Sequence, residues 1–229
     1  EMYPLIGEYL QGATASGLYE AKPAYEEMIK PFEGKKKLEN HVFEPAFKDE
    51  EFPLVCEVAD HIVFNSIAQL EHHRNVWEKA VSEKKLSVGL RINTEFSTQE
   101  GHEIYDPCAP GSRLGIRREN LPNPLPKGVE GLHFHTLCEQ GFEPLEATFN
   151  EVENDFGEFF SQIKWINLGG GHHITKPDYD REGLKNLIRY IKEKDDIDVY
   201  LEPGEAVALD AGYLVTTVMD IVETEDYPV

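Results

Sequence analysis

The chain has 229 residues, 43 acidic against 22 basic, and a formal net charge of −21. That excess repels phosphate backbones and anionic lipid surfaces, and so argues against general nucleic-acid or membrane-surface binding. A composition that is 40% hydrophobic and 10% aromatic argues against disorder, which leaves solubility or attraction of a cationic substrate as the meaning of the charge.

The length suits one large domain or two small ones. Cys56, Cys108 and Cys138 are odd in number and far apart, with neither a disulfide framework nor a CxxC zinc pattern, so a reducing, cytoplasmic setting is expected. No signal peptide and no membrane span is visible: no run approaches the roughly 18 apolar residues a span needs. The sequence opens in a helix-like apolar stretch (Tyr3, Leu5, Ile6, Tyr9, Leu10) and stops inside a strand-like one, which leads us to expect a piece of something longer.

In chain order, short apolar runs predict strands at Gly12–Ser16, His41–Phe43, His61–Asn65, Ser87–Asn93, Gly131–Thr136, Lys164–Leu168 and Asp198–Leu201. Glu33–Lys37 reads as a solvated turn, and the Pro- and Gly-rich stretch Asp106–Lys127 as a long loop. Three helical stripes lie between the strands. One holds Ile67, Leu70, Trp77, Ala80 and Val81. A second holds Leu145, Phe149, Val152, Phe156, Phe159 and Phe160. The third is Leu184, Leu187, Ile188 and Ile191. Strand and helix in alternation predict a parallel α/β fold; an open sheet tolerates seven strands, whereas a closed barrel takes eight. The β-branched run in Gly212–Thr224 has no helix after it and predicts entry into a separate β domain.

Four segments carry possible chemistry. Asn167–His173 places Gly169, Gly170 and Gly171 directly after a buried strand, where backbone N–H groups can cradle a phosphate or simply make a turn. Leu201-Glu202-Pro203-Gly204-Glu205 puts a carboxylate at another strand end. In His133–Glu139, His133 and His135 share one side of a strand, as a metal-binding pair or with a ring free to stack on an aromatic cofactor. In Pro107–Gly115, Arg113 is available to a carboxylate or phosphate. Arg91, mid-strand with Asn93 on its side, requires a partner.

Taken with Gly12–Ala21, these segments resemble the fold-type III pyridoxal-phosphate decarboxylases, the alanine-racemase-like barrel group, and within it the carboxynorspermidine/carboxyspermidine branch. The resemblance spans essentially the whole chain and rests on GGGHHIT, HFHTLCE and LEPGEA in combination. It implies a (β/α)8 TIM-type barrel lacking its first strand over residues 1–211, with the start of a C-terminal β domain at 212–229. It implies pyridoxal 5'-phosphate as cofactor, no metal, and a polyamine precursor as substrate. Gly169, Gly170, Gly171 and Gly204 match the phosphate cradle. Glu202 matches the acid on the pyridine nitrogen, His135 the stacking imidazole, and Arg91 an arginine near the cofactor. Cys138 stands where relatives carry a phosphate-binding serine. Glu205 stands where ornithine decarboxylases carry arginine and, with Glu139 and Asp178, is a candidate for substrate ammonium groups; Arg113 joins them as a substrate-binding candidate.

By the same resemblance, the Schiff-base lysine precedes Glu1, Lys22 is no substitute, and a catalytic cysteine lies in a further domain shared across a homodimer. The 229 residues alone are then expected to be inactive. Two alternatives stand beside this reading: a catalytically silent regulatory relative, and a zinc-dependent barrel hydrolase using His133 and His135.

Overall fold

A computed structural model describes residues 2–84, 86–99 and 106–222. Its strands are β1 (Gly12–Ala15), β2 (Glu39–Phe43), β3 (His61–Phe64), β4 (Ser87–Asn93), the two-residue β5 (Ile116–Arg117), β6 (Val129–His133), β7 (Trp165–Asn167) and β8 (Asp198–Tyr200). The sheet order is β1-β2-β3-β4-β6-β7-β8, with β5 beside β4, and every pairing is parallel. The helices are α1 (Tyr3–Ile6), α2 (Leu18–Ala24), α3 (Phe52–Val58), α4 (Ile67–His72), α5 (Arg74–Lys84), α6 (Phe142–Phe156), α7 (Arg181–Asp195) and α8 (Gly204–Ala208). None is long and apolar enough to cross a membrane.

The strands form because each is buried on both faces, so β-branched and aliphatic residues run almost without interruption: Ile62, Phe64, Val88, Leu90, Leu132 and Ile166 are all buried. One face of the sheet packs on helices. Leu145, Phe149, Val152 and Phe156 of α6 are completely buried, and each such side chain contributes about 1.5–3 kcal/mol. In α7, Asp180 caps the first turn by accepting the Gly183 N–H at 2.8 Å, and Leu184, Leu187 and Ile191 face the core.

The sheet curls until its two ends meet. Tyr200 of β8 donates its hydroxyl to Glu39 of β2 at 2.8 Å, and Thr14 of β1 donates to Glu202, just beyond β8, at 3.1 Å. This is an α/β barrel architecture with seven long-path strands, and β1 and β8 are its unpaired edges. The concave interior is filled partly by Trp165. Its ring lies against Gly131 and Gly89, where a Cβ would stand 2.1 Å and 2.4 Å from it, and its Nε1 donates to Ser87 Oγ at 2.8 Å.

Three local expectations need correction, and the β-branched run after Gly212 finds no strand partner among the described residues. The stripe from Ile67 to Val81 is two helices, because His73 turns inward and packs its ring 4.3 Å from Phe52. The loop 106–127 contains β5 and a turn of 3₁₀ helix at Arg118–Asn120. Lys36 is no solvated turn residue; its Nζ donates to the carbonyls of Gly7, Glu8 and Leu10 at 3.2, 3.1 and 2.5 Å, closing off the chain after α1. Residues 212–222 make no strand, and Tyr213, Leu214 and Val215 are exposed; β propensity needs a neighbouring strand to become structure. Residues 223–229 lie outside the described ones.

Candidate active site

A cavity of about 1420 Å³ opens on the concave side of the sheet, lined by residues of β1, β2, β4, β6, β7 and β8 and the loops after them. Its polar lining includes Thr14, Arg91, His133, His135, Asn167 and Glu202. Parallel strands deliver these groups to one place because alternate side chains of neighbouring, in-register strands share a face: Arg91 pairs with His133, and His133 with Asn167.

Glu202 is the centre of the cluster. Its Oε1 accepts from Asn167 Nδ2 at 2.7 Å and from Thr14 Oγ1 at 3.1 Å. Its Oε2 lies 3.4 Å from His133 Nε2 and 3.8 Å from His135 Nδ1. Burial works to raise this carboxyl group's pKa, but the two imidazoles outweigh it and hold the group well below the usual carboxylate range. Glu202 is therefore ionised near neutrality. His133 is fully enclosed, and burial pushes its pKa down against the opposing pull of the Glu202 carboxylate. The ligand atoms of His133, His135 and Glu202 lie within 4.8 Å of one another, a spacing that also suits a metal ion.

His135 differs from His133 in exposure: its side chain is 38% accessible and lines the cavity. The Gly170 N–H donates to its Nδ1 at 3.3 Å and fixes the ring's inner edge. Arg91, whose mid-strand position called for a carboxylate or cofactor nearby, meets a backbone carbonyl and an aromatic ring. It donates from Nη2 to the His135 carbonyl at 3.1 Å and lies 4.7 Å over the Phe43 ring. Burial lowers its pKa to about 10, which leaves the guanidinium charged at neutral pH.

The three glycines answer first to packing. A Cβ on Gly170 would stand 2.0 Å from the Glu202 carbonyl, and one on Gly171 1.9 Å from that of Leu137; Gly169 and Gly171 have φ of 73° and 77°. The Gly169 and Gly170 N–H groups already donate to Asn167 Oδ1 and His135 Nδ1, and the Gly204 N–H donates to the Glu202 carbonyl at 2.8 Å. A phosphate would have to take over the long Gly170–His135 bond. Around Gly204 nothing lies within 4 Å of where a side chain would begin, so room exists there. Gly170→Ala is expected to push the end of β8 outward and cost about 1–3 kcal/mol in a urea titration. Gly204→Ala should stay within about 0.5 kcal/mol.

The remaining candidates are not gathered equally. Cys138 lines the cavity. Glu205 follows Gly204 but stands outside the lining and pairs with buried His173, Oε2 to Nε2 at 3.2 Å, half exposed. Asp178, Glu139 and Arg113 are exposed and stand outside the lining; the Arg113 carbonyl accepts from Asn65 Nδ2. Lys22 is exposed on α2, and among the described residues no lysine lines the cavity.

Sequence reasoning missed Thr14 and Asn167 as site residues. It also missed an interior network of Glu39, His41, His61 and Tyr200, in which His41 and His61 stack with centroids 4.0 Å apart. The available signal was the run of polar residues at alternate positions in strands otherwise apolar.

The cavity fits pyridoxal phosphate. It offers an ionised carboxylate, a half-exposed imidazole face and a buried cation within one concave wall, with open space beside Gly204.

No protein-family model matches the chain. It is 45% identical over 221 residues to a carboxynorspermidine/carboxyspermidine decarboxylase of Campylobacter jejuni, covering 96% of this chain and 54% of the relative. It is 36% identical over 226 residues to a carboxyaminopropylagmatine decarboxylase of Synechocystis, covering 98% and 55%. The crystal structure of the Campylobacter jejuni carboxynorspermidine decarboxylase complexed with norspermidine superposes with a TM-score of 0.80 at 43% identity, over 98% of this chain and 54% of that one. A diaminopimelate decarboxylase, at 19% identity and a TM-score of 0.72, shares the fold. The chain spans about half the length of the curated relatives it matches. Over nearly its whole length the chain is similar to carboxynorspermidine/carboxyspermidine decarboxylases, across about half of theirs, and shares their α/β barrel fold.

Proposed function

We propose that the chain forms the cofactor-binding barrel of a pyridoxal-phosphate-dependent decarboxylase that acts on a carboxylated polyamine, carboxynorspermidine or carboxyspermidine, and yields norspermidine or spermidine. The observation that carries this is the ionised, clamped Glu202 beside the half-exposed ring of His135. When bound, pyridoxal phosphate supplies the electron sink that decarboxylation needs. Glu202 would hold the proton on the pyridine nitrogen, because an adjacent carboxylate stabilises the cationic form. His135 would cover one ring face, and Arg91 would orient His135 through its carbonyl. The turn at Gly169–Gly171, Gly204 and Cys138 would receive the phosphate.

For the substrate's ammonium groups we propose Glu205, which stands outside the lining but next to its residue Gly204, and the net charge of −21 favours a polycation. Asp178, Glu139 and Arg113 would need a second element to bring them to the cavity. We further propose residues 1–211 as the barrel domain and 212–229 as the start of a β domain. The Schiff-base lysine would come from outside these 229 residues, and the protein would be a cytoplasmic homodimer.

The test is CO₂ release by the full-length protein loaded with pyridoxal phosphate and given carboxynorspermidine or carboxyspermidine. Release with either supports the reading. Cofactor binding without release from any carboxylated polyamine would replace it with the regulatory relative. Stoichiometric zinc at His133, His135 and Glu202 would replace it with the hydrolase.

A further inference from the structure

Resting on the reading of Glu202 as the partner of the cofactor's ring nitrogen, we infer that Thr14 and Asn167 are positioning residues that occupy one oxygen of this carboxylate and turn the other to the cavity. A carboxylate has about four acceptor sites, two on each oxygen. Oε1 receives two donors, from Asn167 at 2.7 Å and Thr14 at 3.1 Å, and is filled. Oε2 has only imidazole nitrogens at 3.4 and 3.8 Å, beyond the usual hydrogen-bond length, so it keeps its acceptor capacity for a cationic N–H. The two oxygens are thereby made unequal, and the open one is defined.

The three side chains come from separate places in the sheet: Thr14 from the edge strand β1, Asn167 from the end of β7, Glu202 from just beyond β8. Asn167 is itself fixed. It is buried, and its Oδ1 accepts the Gly169 N–H at 2.9 Å, so the amide orientation that aims Nδ2 at Glu202 is set by the glycine turn. Thr14 stands in the cavity lining, where its hydroxyl is the only group of β1 bonded to Glu202 among the described residues. The clamp therefore links three parts of the candidate site: the glycine turn, the acid and the far edge of the sheet. A hydrogen bond to a charged group is worth about 1.5–3 kcal/mol, and a binding interaction that depends on it changes about 10- to 100-fold when it is lost.

The experiment is titration of the full-length protein with pyridoxal phosphate, followed by cofactor absorbance. Thr14→Val is expected to weaken binding about tenfold, Thr14→Ser to restore it to within about twofold, and Asn167→Ala to weaken it about tenfold or more. Thr14→Val in a Glu202→Gln background should add less than about twofold, because the charged oxygen that the clamp turns to the cofactor is already gone even though a glutamine carbonyl can still accept from Thr14. A structural role alone would leave the two substitutions additive. If buried Asn167 does not tolerate replacement, the cavity-facing Thr14 pair and the cycle with Glu202 still decide. Additive effects, or Thr14→Val binding like wild type while Glu202→Gln binds weakly, overturn the clamp and leave the function standing. Failure of the unsubstituted protein to bind the cofactor overturns both.

Discussion

Glu202→Gln in the full-length protein is expected to lower the rate of CO₂ release about 100- to 1000-fold, the scale of losing one preorganised electrostatic partner. The substitution keeps the side chain's size, and a glutamine oxygen still accepts from Asn167 and Thr14. What changes is the group beside His133 and His135, where a neutral amide N–H₂ would present donors in place of the acceptor Oε2. The native carboxyl is held well below its usual range, so the charge being removed is present throughout the neutral range. Stability should change little, since two of the contacts persist. The measurement is kcat at saturating substrate and cofactor. A rate within twofold of wild type would show that the ionised carboxylate is not part of the chemistry.

Trp165→Ala is expected to destabilise the chain by about 3–5 kcal/mol in a urea titration. Trp165 is the largest single occupant of the concave side away from the Glu202 cluster. Its ring lies over Gly131 and Gly89, contacts His61 edge-on at 5.1 Å and Tyr200 at 6.1 Å, and its N–H is satisfied by Ser87. No neighbour can collapse into the space: the two residues beneath it are glycines, and the strands carrying them are held by parallel ladders. A loss under about 1 kcal/mol would mean that this interior is not packed as described. The same geometry explains why two interior strands tolerate glycine in mid-run, where it is ordinarily unfavourable.

Much of the scaffold was legible before folding was considered. The seven strand positions read from apolar runs match the observed ones to within one to three residues at either end: His41–Phe43 became Glu39–Phe43, and Lys164–Leu168 became Trp165–Asn167. Short runs apolar on both faces have few other fates. The α7 stripe and the α6 stripe as far as Phe156 were equally plain, because a 3.6-residue period over several turns is hard to produce by chance, whereas Phe159 and Phe160 fall in a 3₁₀ segment, Gly157–Gln162. Arg91 advertised itself as a charge in an apolar strand. By contrast, Glu39 entered β2 unnoticed, since its partner Tyr200 lies on β8, at the far end of the strand order, and reaches β2 only when the sheet curls, while His61 comes from the adjacent strand β3. Lys36 looked like one of three solvated lysines; only the position of α1 gives its ammonium three carbonyls to bond.

The sequence by itself determined which residue types stand at strand ends: three consecutive glycines, an acid before Pro-Gly, two histidines two residues apart. Those depend on local spacing, and local spacing survives in a linear reading. Tertiary structure decided what each would do. It filled one oxygen of Glu202 from Thr14, 188 residues away, and gave the Gly169 and Gly170 N–H groups to side chains rather than leaving them free. It also enclosed His133 and left His135 partly exposed, although both line the same cavity. Hydrogen bonding and desolvation depend on distances of a few ångströms in space, and in a parallel sheet those distances are set by register and curl.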